Sequence, residues 1–159
     1  MTTKNRHPLP LIGETLDRLG RAVIFSKLDL KDAYHRIPIK RGNEWKTAFC
    51  TRYGHFEYKV MPFGLTNAPA TFQAYINRAL AGLVDVCCVV YLDDILIYSD
   101  TREQHVRDVR AVLERLWKFA LFASCKKCKF FTTEVEYLSF IVTTAGVTID
   151  KSKVAIIDK

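Results

Sequence analysis

Two apolar, β-branched segments separated by a pair of aspartates constrain the fold of this chain most strongly. The segments are Asp85–Leu92 and Ile95–Tyr98, and Asp93 and Asp94 lie between them. Short runs of this composition on either side of a turn-forming pair are typical of a β-hairpin. We therefore predict a hairpin with two carboxylates at its tip.

The rest of the sequence alternates strand-like and helix-like patterns, and its hairpins imply antiparallel pairing, so the predicted fold class is α+β. Further strands are predicted over Ala22–Leu30, Lys46–Thr51, His55–Met61, Val135–Val142 and Val147–Ile149. Helices are predicted over Thr15–Leu19, over Asn67–Leu83, after the capping pair Thr101 and Gln104, and over Ser152–Ile157. The basic segment Cys125–Phe131 is predicted to be irregular.

Composition excludes several classes of protein. Of the 159 residues, 49% are apolar and 26% are charged, which is typical of one ordinary globular domain. The longest apolar run, near Val86–Leu92, is too short to cross a bilayer, so no membrane partner is expected. No apolar segment follows Lys4 and Arg6, which argues against a secretory signal. The five cysteines, an odd number, favour reduced thiols and an intracellular location, in a cytoplasmic particle or the nucleus.

The chain is basic, with 24 Lys and Arg against 17 Asp and Glu and a net charge of +7. Such a surplus favours a phosphate-bearing partner, although many soluble domains carry similar charge for solubility alone. The candidate contacts to a nucleic-acid backbone, for which a solvated charged face is the alternative, are Arg21, Lys27, Lys46, Lys126, Lys127 and Lys129.

Three carboxylates lie where packing alone does not explain them. Asp29 interrupts an apolar strand, and Asp93 and Asp94 lie between two others. Two ionised carboxylates at ~5 Å repel by roughly 3 kcal/mol at an effective dielectric of about 20, and a divalent cation removes that repulsion. Two such ions form the usual clamp for phosphoryl transfer in polymerases and nucleases. The alternative is that Asp93 and Asp94 simply make a tight turn.

Several motifs around these aspartates resemble those of reverse transcriptases. Tyr91-Leu92-Asp93-Asp94 has the form of their Y-x-D-D box, and Leu28–Tyr34 is similar to their first catalytic-aspartate motif. Met61–Gln73 is similar to the motif between those two. Together with Trp45–Phe49 and Tyr53–Tyr58, the ordered set resembles the gypsy-type branch of LTR retrotransposons, from about residue 6 to the end of the chain.

This resemblance implies a polymerase palm, an antiparallel sheet backed by helices, with part of a fingers subdomain. Fingers would occupy about 1–24 and 38–66, and palm about 25–37 and 67–159, with thumb and RNase H outside the chain. The implied function is RNA-directed DNA polymerase, which adds dNTPs to a primer 3′-OH by two-metal phosphoryl transfer. The implied partners are an RNA or DNA template with its primer, dNTPs, and the thumb, RNase H and integrase of a Pol polyprotein whose parent element integrates as DNA.

The resemblance also assigns roles to individual residues. The implied catalytic residues, which with the Leu30 carbonyl would hold two Mg²⁺ ions or substituting Mn²⁺, are Asp29, Asp93 and Asp94. The implied nucleotide-binding residues are the aromatic gate Tyr34, Phe63 and Gly64. The implied template- and primer-binding residues are Gln73, Tyr91, Leu138 and Ser139.

Alternatives remain for several of these residues. Tyr34 would otherwise be a core aromatic, Gly64 a turn glycine and Gln73 a solvated helix residue. His35 is interpreted as structural, and His105 is expected at the surface or boundary of an amphipathic helix.

Three positions depart from the family pattern. Ser139 stands where the family nearly always has Gly, and it would be strained if the position needs a positive φ. Asp150-Lys151 replaces the usual Asp-Pro, and Phe63 replaces the Gln of retroviral enzymes. Two other functions are therefore considered: a non-catalytic remnant that binds nucleic acid, and a metal-dependent nuclease, for which no water-activating base is identified.

Overall fold

The computed structural model describes residues 3–5, 19 and 22–149, and every element below belongs to that part of the chain. The strands are β1 Ile24–Lys31, β2 Phe49–Thr51, β3 Gly54–Phe56, β4 Cys88–Tyr91, β5 Asp94–Ser99, β6 Phe122–Ala123, β7 Lys129–Thr132, β8 Glu134–Tyr137, β9 Phe140–Thr143 and β10 Gly146–Ile149. The helices are α1 Ala68–Ala79 and α2 Arg102–Lys118, with short 3-10 helices at Tyr34–Arg36 and Glu44–Thr47.

Strand β1 organises the main sheet because it pairs along both of its edges. The sheet has five strands in the order β4-β5-β1-β6, with β7 also paired to β1. β1 and β5 are antiparallel, and their register places Asp29 opposite Asp94. The other edge of β1 pairs with β7 near its start and with β6 at Leu30 and Lys31. The strands that carry two of the candidate aspartates are therefore neighbours.

The main sheet separates two apolar clusters. On one face, Leu28 is buried with residues of both helices, among them Phe72 of α1. On the other face, Phe25 is buried with Tyr137 and other residues of the three-stranded sheet β8-β9-β10. Because successive side chains of a strand alternate between faces, Asp29 lies on the same face as Phe25, away from the helices. Helices backing an antiparallel sheet confirm the predicted α+β class.

The two helices begin close to their predicted starts. The Thr101 side chain accepts a hydrogen bond from the Gln104 amide (3.3 Å) and caps α2. Helix α1 is shorter than predicted, because it ends at Ala79 rather than at Leu83. Gly82 follows with φ +82°, a left-handed conformation that an α-helix cannot continue.

The C-terminal region corrects two expectations. The predicted strand Val135–Val142 is divided into β8 and β9 by a turn at Leu138 and Ser139, whose φ angles are +51° and +72°. The segment Cys125–Phe131 is not irregular throughout, because Lys129 begins β7 and pairs with β1. The pairs between β7 and β1 join residues about a hundred positions apart, so no local sequence pattern predicts them.

Some expectations remain predictions. The helices expected over 15–19 and 152–157, and the pair Asp150-Lys151, lie outside the described residues except for Leu19. The hairpin β2-β3 forms a separate two-stranded sheet, but the boundary between fingers and palm stays a prediction. No helix in the described residues is both long and apolar enough to cross a membrane.

Candidate functional site

The turn between β4 and β5 carries the central carboxylate. Leu92 and Asp93 form its tip, whereas Asp94 is the first residue of β5, which corrects the expectation that both aspartates lie in the turn. Leu92 has φ +54°, a left-handed conformation that costs a non-glycine residue of the order of 1–3 kcal/mol. The Leu30 amide donates to the Asp93 carbonyl (2.9 Å), so the turn is also fixed to β1.

Gln73 supports this turn from helix α1. Its side-chain carbonyl accepts a hydrogen bond from the Leu92 amide (2.9 Å), and its amide group donates to the Val90 carbonyl (3.3 Å). The side chain is fully buried, which excludes the alternative of a solvated helix residue. Its predicted contact with template stays a prediction.

Two lysines pair with the aspartates of the neighbouring strands. The Lys127 ammonium lies 3.3 Å from both carboxylate oxygens of Asp29. The Lys27 ammonium lies 3.1 Å from the Asp94 carboxylate. The sequence predicts that both lysines contact a nucleic-acid backbone or solvent, and nothing in the local sequence indicates that they pair with these carboxylates.

The third carboxylate, Asp93, belongs to a residue exposed at the tip of the turn, yet partial burial and neighbouring charges disfavour its ionised form. Burial is the largest cause of a raised Asp93 pKa, and the charges of Asp94 and Asp29 raise it further. A backbone hydrogen bond and the Lys127 ammonium act in the opposite direction. The pKa of the Tyr34 hydroxyl is also raised, mainly by burial and then by Asp93. This site therefore favours the binding of positive charge.

A cleft of about 590 Å³ opens beside these carboxylates. Asp29, Leu30, Asp93 and Phe63 line it, and the basic turn at Lys126 and Lys127 forms part of its wall. The structure thus brings together four of the residues that the resemblance assigned to metal and nucleotide binding.

Behind the cleft, Tyr34 packs against Phe63 (4.8 Å between ring centroids) and stacks on Phe72 (5.1 Å). It is 8% exposed, so its packing agrees with a core aromatic, while the exposed Phe63 lies between it and the opening. Gly64 instead lines a separate cavity of about 550 Å³. Its φ of +90° is a conformation that glycine adopts without steric strain, which agrees with the alternative of a turn glycine.

Two of the other predicted template and primer residues lie against the second apolar cluster, and the third lies in the adjoining turn. Tyr91 and Leu138 both pack against the cluster, and Leu138 and Ser139 form the β8–β9 turn. Tyr137, which precedes that turn, is fully buried, and its hydroxyl has no hydrogen-bond partner among the described residues. Burial, and then the Asp94 charge, raise its pKa. The Y-x-D-D turn and the predicted primer-binding turn therefore share one apolar support.

The donor set fits a magnesium ion by its chemistry. Carboxylate and carbonyl oxygens are the ligands that Mg²⁺ prefers, and a cation would relieve the repulsion that raises the Asp93 pKa. As arranged, however, the described residues contain no group of three His, Cys, Asp or Glu side chains that could hold a metal ion. In this arrangement Asp29 and Asp94 each face a lysine ammonium instead.

A buried polar network beneath the site was not predicted. His105, expected at the surface or boundary, is fully buried, which corrects that expectation. Its ring nitrogens contact the hydroxyls of Ser26 (2.7 Å) and Ser99 (2.9 Å), and Ser99 donates to Asp108 (2.7 Å). The spacing of His105 and Asp108 on one helix face was the available signal, whereas Ser26 lies 79 positions away.

Comparison with known families gives a match over most of the chain. The model of the family described as reverse transcriptase (RNA-dependent DNA polymerase) matches residues 2–142. The Transposon Tf2-3 polyprotein of Schizosaccharomyces pombe is 42% identical over 144 residues, which cover 91% of this chain and 11% of that protein. The Retrovirus-related Pol polyprotein from transposon 297 of Drosophila melanogaster is 40% identical over 147 residues, which cover 92% and 14%. The chain therefore spans only a small part of these relatives.

Solved structures give the same result. The foamy viral protease-reverse transcriptase in complex with an RNA/DNA hybrid matches with a TM-score of 0.88 and 25% identity, over 99% of this chain and 21% of that chain. The same enzyme in complex with double-stranded DNA matches with a TM-score of 0.80 and 27% identity, over 94% and 33%. Fold, motifs and transposon relatives agree, and the chain belongs to the reverse transcriptase (RNA-dependent DNA polymerase) family.

Proposed function

We propose that this chain is the catalytic part of an RNA-directed DNA polymerase and adds dNTPs to a primer 3′-OH by two-metal phosphoryl transfer. The observation that carries the proposal is that Asp29 and Asp93 line the same cleft. Asp94 of β5 is the register partner of Asp29 of β1. Three independent segments of chain converge at the cleft, since β1, the β4–β5 turn and the Lys127 turn all line or flank the opening.

The metal ligands in this proposal are Asp29, Asp93 and the Leu30 carbonyl, with Asp94 completing the carboxylates. When bound, the ions lower the pKa of the primer hydroxyl and stabilise charge on the leaving pyrophosphate. The chain itself contributes orientation, because the hydrogen bonds of Leu92 to Gln73 and of Leu30 to Asp93 fix the turn before any substrate arrives.

Nucleotide selection is proposed for the aromatic wall of the cleft. Phe63 is 65% exposed and available to contact a nucleotide, and Tyr34 supports it from behind. Phe63 has no side-chain hydrogen-bonding group, so it would recognise shape rather than polar atoms. Gly64 is proposed to help shape the backbone beside Phe63, where its positive φ turns the chain.

The proposed partners are a template–primer duplex, dNTPs and the remaining domains of a Pol polyprotein. The foamy viral relative is in complex with an RNA/DNA hybrid, and both transposon relatives are polyproteins far longer than this chain. Tyr91 and Leu138 share one apolar support beside the carboxylates, and Ser139 follows Leu138 in the β8–β9 turn, which favours a primer terminus held at that end of the main sheet.

A second candidate function is a nucleic-acid-binding module without catalysis. The ion pairs of Lys127 with Asp29 and of Lys27 with Asp94 favour it, because they neutralise two of the three carboxylates without a metal. Net charge and exposed aromatic side chains support nucleic-acid binding in either case.

Primer extension separates the two candidates. A labelled DNA primer on an RNA template is incubated with Mg²⁺, dNTPs and the 159-residue chain, and fluorescence anisotropy measures binding of the same duplex. We expect extension by wild type and a loss of at least about 100-fold in Asp93→Asn, since losing a charge that stabilises the transition state typically costs 10²-fold or more. Asp100→Asn, which makes the same change at an exposed carboxylate, is the control and should extend normally.

Two results would contradict the proposal. Duplex binding without extension by wild type would favour the binding module. Extension that survives Asp93→Asn would leave polymerase activity standing but would refute the assignment of Asp93.

A further inference from the structure

The ion pair between Lys127 and Asp29 differs from the one between Lys27 and Asp94 in how easily it can open. Lys27 lies within β1, and its side chain is 22% exposed. Lys127 lies in the turn between β6 and β7, and its side chain is 67% exposed. An exposed lysine in a turn can leave its partner by rotating its side chain, whereas Lys27 is held by its strand.

The backbone places Lys127 over Asp29 independently of the ion pair. The Ser124 amide donates to the Asp29 carbonyl (2.8 Å), and the Lys127 amide donates to the Ser124 carbonyl (2.9 Å). The turn therefore stays on β1 when the ammonium leaves the carboxylate. Among the described residues, Lys127 is the cation within 4 Å of Asp29.

We propose that Lys127 is a displaceable counter-ion of Asp29, which holds the carboxylate in the metal-free chain and leaves it when a divalent cation binds. The inference rests on the metal site of the proposed function. A divalent ion and an ammonium group compete for the same two oxygens, so Lys127 lowers the apparent affinity for metal. In this role Lys127 is a positioning residue that acts through Asp29. It changes the affinity for metal and leaves the free energy of unfolding nearly the same.

The size of the effect follows from the exposure of the pair. Exposed lysine–carboxylate pairs contribute little, so removing the competitor should tighten metal binding about two- to five-fold. Lys126 provides a matched control, because it lines the same cleft and carries the same charge one residue away. A purely long-range charge effect would act through both lysines alike.

Manganese binding to the 159-residue chain tests this inference, with the electron paramagnetic resonance signal of free Mn²⁺ as the readout. The variants are Lys127→Met, Lys127→Arg, Lys126→Met and Asp29→Asn. We expect tighter Mn²⁺ binding in Lys127→Met, smaller or no change in Lys126→Met, and near wild-type binding in Lys127→Arg. Unfolding by urea should be the same in all three lysine variants within about 0.5 kcal/mol, as for ordinary surface substitutions.

The competing outcomes are distinguishable. Equal effects of Lys127→Met and Lys126→Met, or no effect of Lys127→Met, would overturn the counter-ion role while leaving the metal site intact. Mn²⁺ binding that Asp29→Asn does not weaken would overturn the metal site itself, and this inference with it.

Discussion

At the scale of single residues, left-handed backbone marks both turns beside the candidate site. Leu92 has φ +54° in the Y-x-D-D turn, and Leu138 and Ser139 have φ +51° and +72° in the β8–β9 turn. None of these is glycine, so each position carries some strain. At Leu92 the hydrogen bond from its amide to Gln73 compensates part of that strain. Strain held in place by surrounding contacts is typical of sites that must keep one geometry.

Replacing Ser139 by glycine should stabilise the protein. Glycine adopts φ +72° without the steric penalty that a serine side chain carries, so we expect Ser139→Gly to raise the free energy of unfolding by about 1 kcal/mol. Urea denaturation followed by circular dichroism measures this change. Thr144→Gly is the control, because Thr144 lies in the next turn and is not among the residues with positive φ; it should give no gain. Equal changes in both variants would show that strain at Ser139 is not the cause.

Residue-level prediction from the sequence succeeded where a motif carries the information. The strain at Ser139 could be anticipated, because a family position that prefers glycine suggests a positive φ, and the structure has one. The ion pair of Lys127 with Asp29 could not, because it joins positions 98 apart that no pattern links. The Tyr137 hydroxyl, which has no hydrogen-bond partner among the described residues, was missed for the same reason, since burial depends on strands that pack from elsewhere in the chain.

At the scale of secondary-structure elements, the buried network around His105 joins the strands that carry the aspartates. Ser26 belongs to β1, Ser99 to β5, and His105 and Asp108 to α2. The Phe131 amide of β7 donates to the Ser26 hydroxyl (3.1 Å), and when His105 is neutral with its proton on Nδ1, that hydroxyl donates to Nε2. The opposite nitrogen then donates to Ser99, which donates to Asp108. With these donors and acceptors, both ring nitrogens of a neutral His105 and both serine hydroxyls have hydrogen-bond partners.

The burial of His105 makes the free energy of unfolding depend on pH. Burial lowers the pKa of His105, and the Asp108 charge only partly opposes it, so the folded state binds a proton less readily than the unfolded chain does. Below an unfolded pKa of about 6.5 the unfolded state therefore holds more protons, and the free energy of unfolding should fall as the pH falls. His105→Asn should be less stable at pH 7.5 but should lose less stability than wild type between pH 7.5 and 5.5.

Urea denaturation at the two pH values checks this expectation. The comparison between wild type and His105→Asn isolates the contribution of His105, because the two proteins share every other group. Parallel loss of stability in both proteins would contradict a neutral, hydrogen-bonded His105.

Prediction at the element scale worked best for β1, the β4–β5 hairpin and α2. Their apolar periodicity and the Thr101 cap are local signals, and the structure confirms them to within a few residues. The predicted strand Val135–Val142 failed because the alternation continues through Leu138 and Ser139, although the backbone reverses there. The end of α1 was placed too late because Leu80 and Leu83 continue the apolar spacing beyond Ala79.

At the scale of the whole molecule, the chain has a net charge of +7 but contains a local cluster of three aspartates. Asp29, Asp93 and Asp94 lie at one end of the main sheet, where β1 ends and β5 begins, while Lys27 and Lys127 partly neutralise Asp94 and Asp29. A positive surface attracts the phosphates of a template–primer duplex, and the aspartate cluster attracts the cations that phosphoryl transfer requires. The same charge distribution therefore serves the proposed substrate and the proposed cofactor at different places.

The central claim is that this chain adds nucleotides under the direction of a template, with Asp29 and Asp93 at the catalytic centre. The most direct test asks whether the template base decides which nucleotide is added. A DNA primer is annealed to RNA templates that differ only in the first unpaired base, and each dNTP is offered singly with Mg²⁺. We expect one-nucleotide extension only with the complementary dNTP, and none in Asp29→Asn. Extension that ignores the template base, or that persists at full rate in Asp29→Asn, would contradict the account.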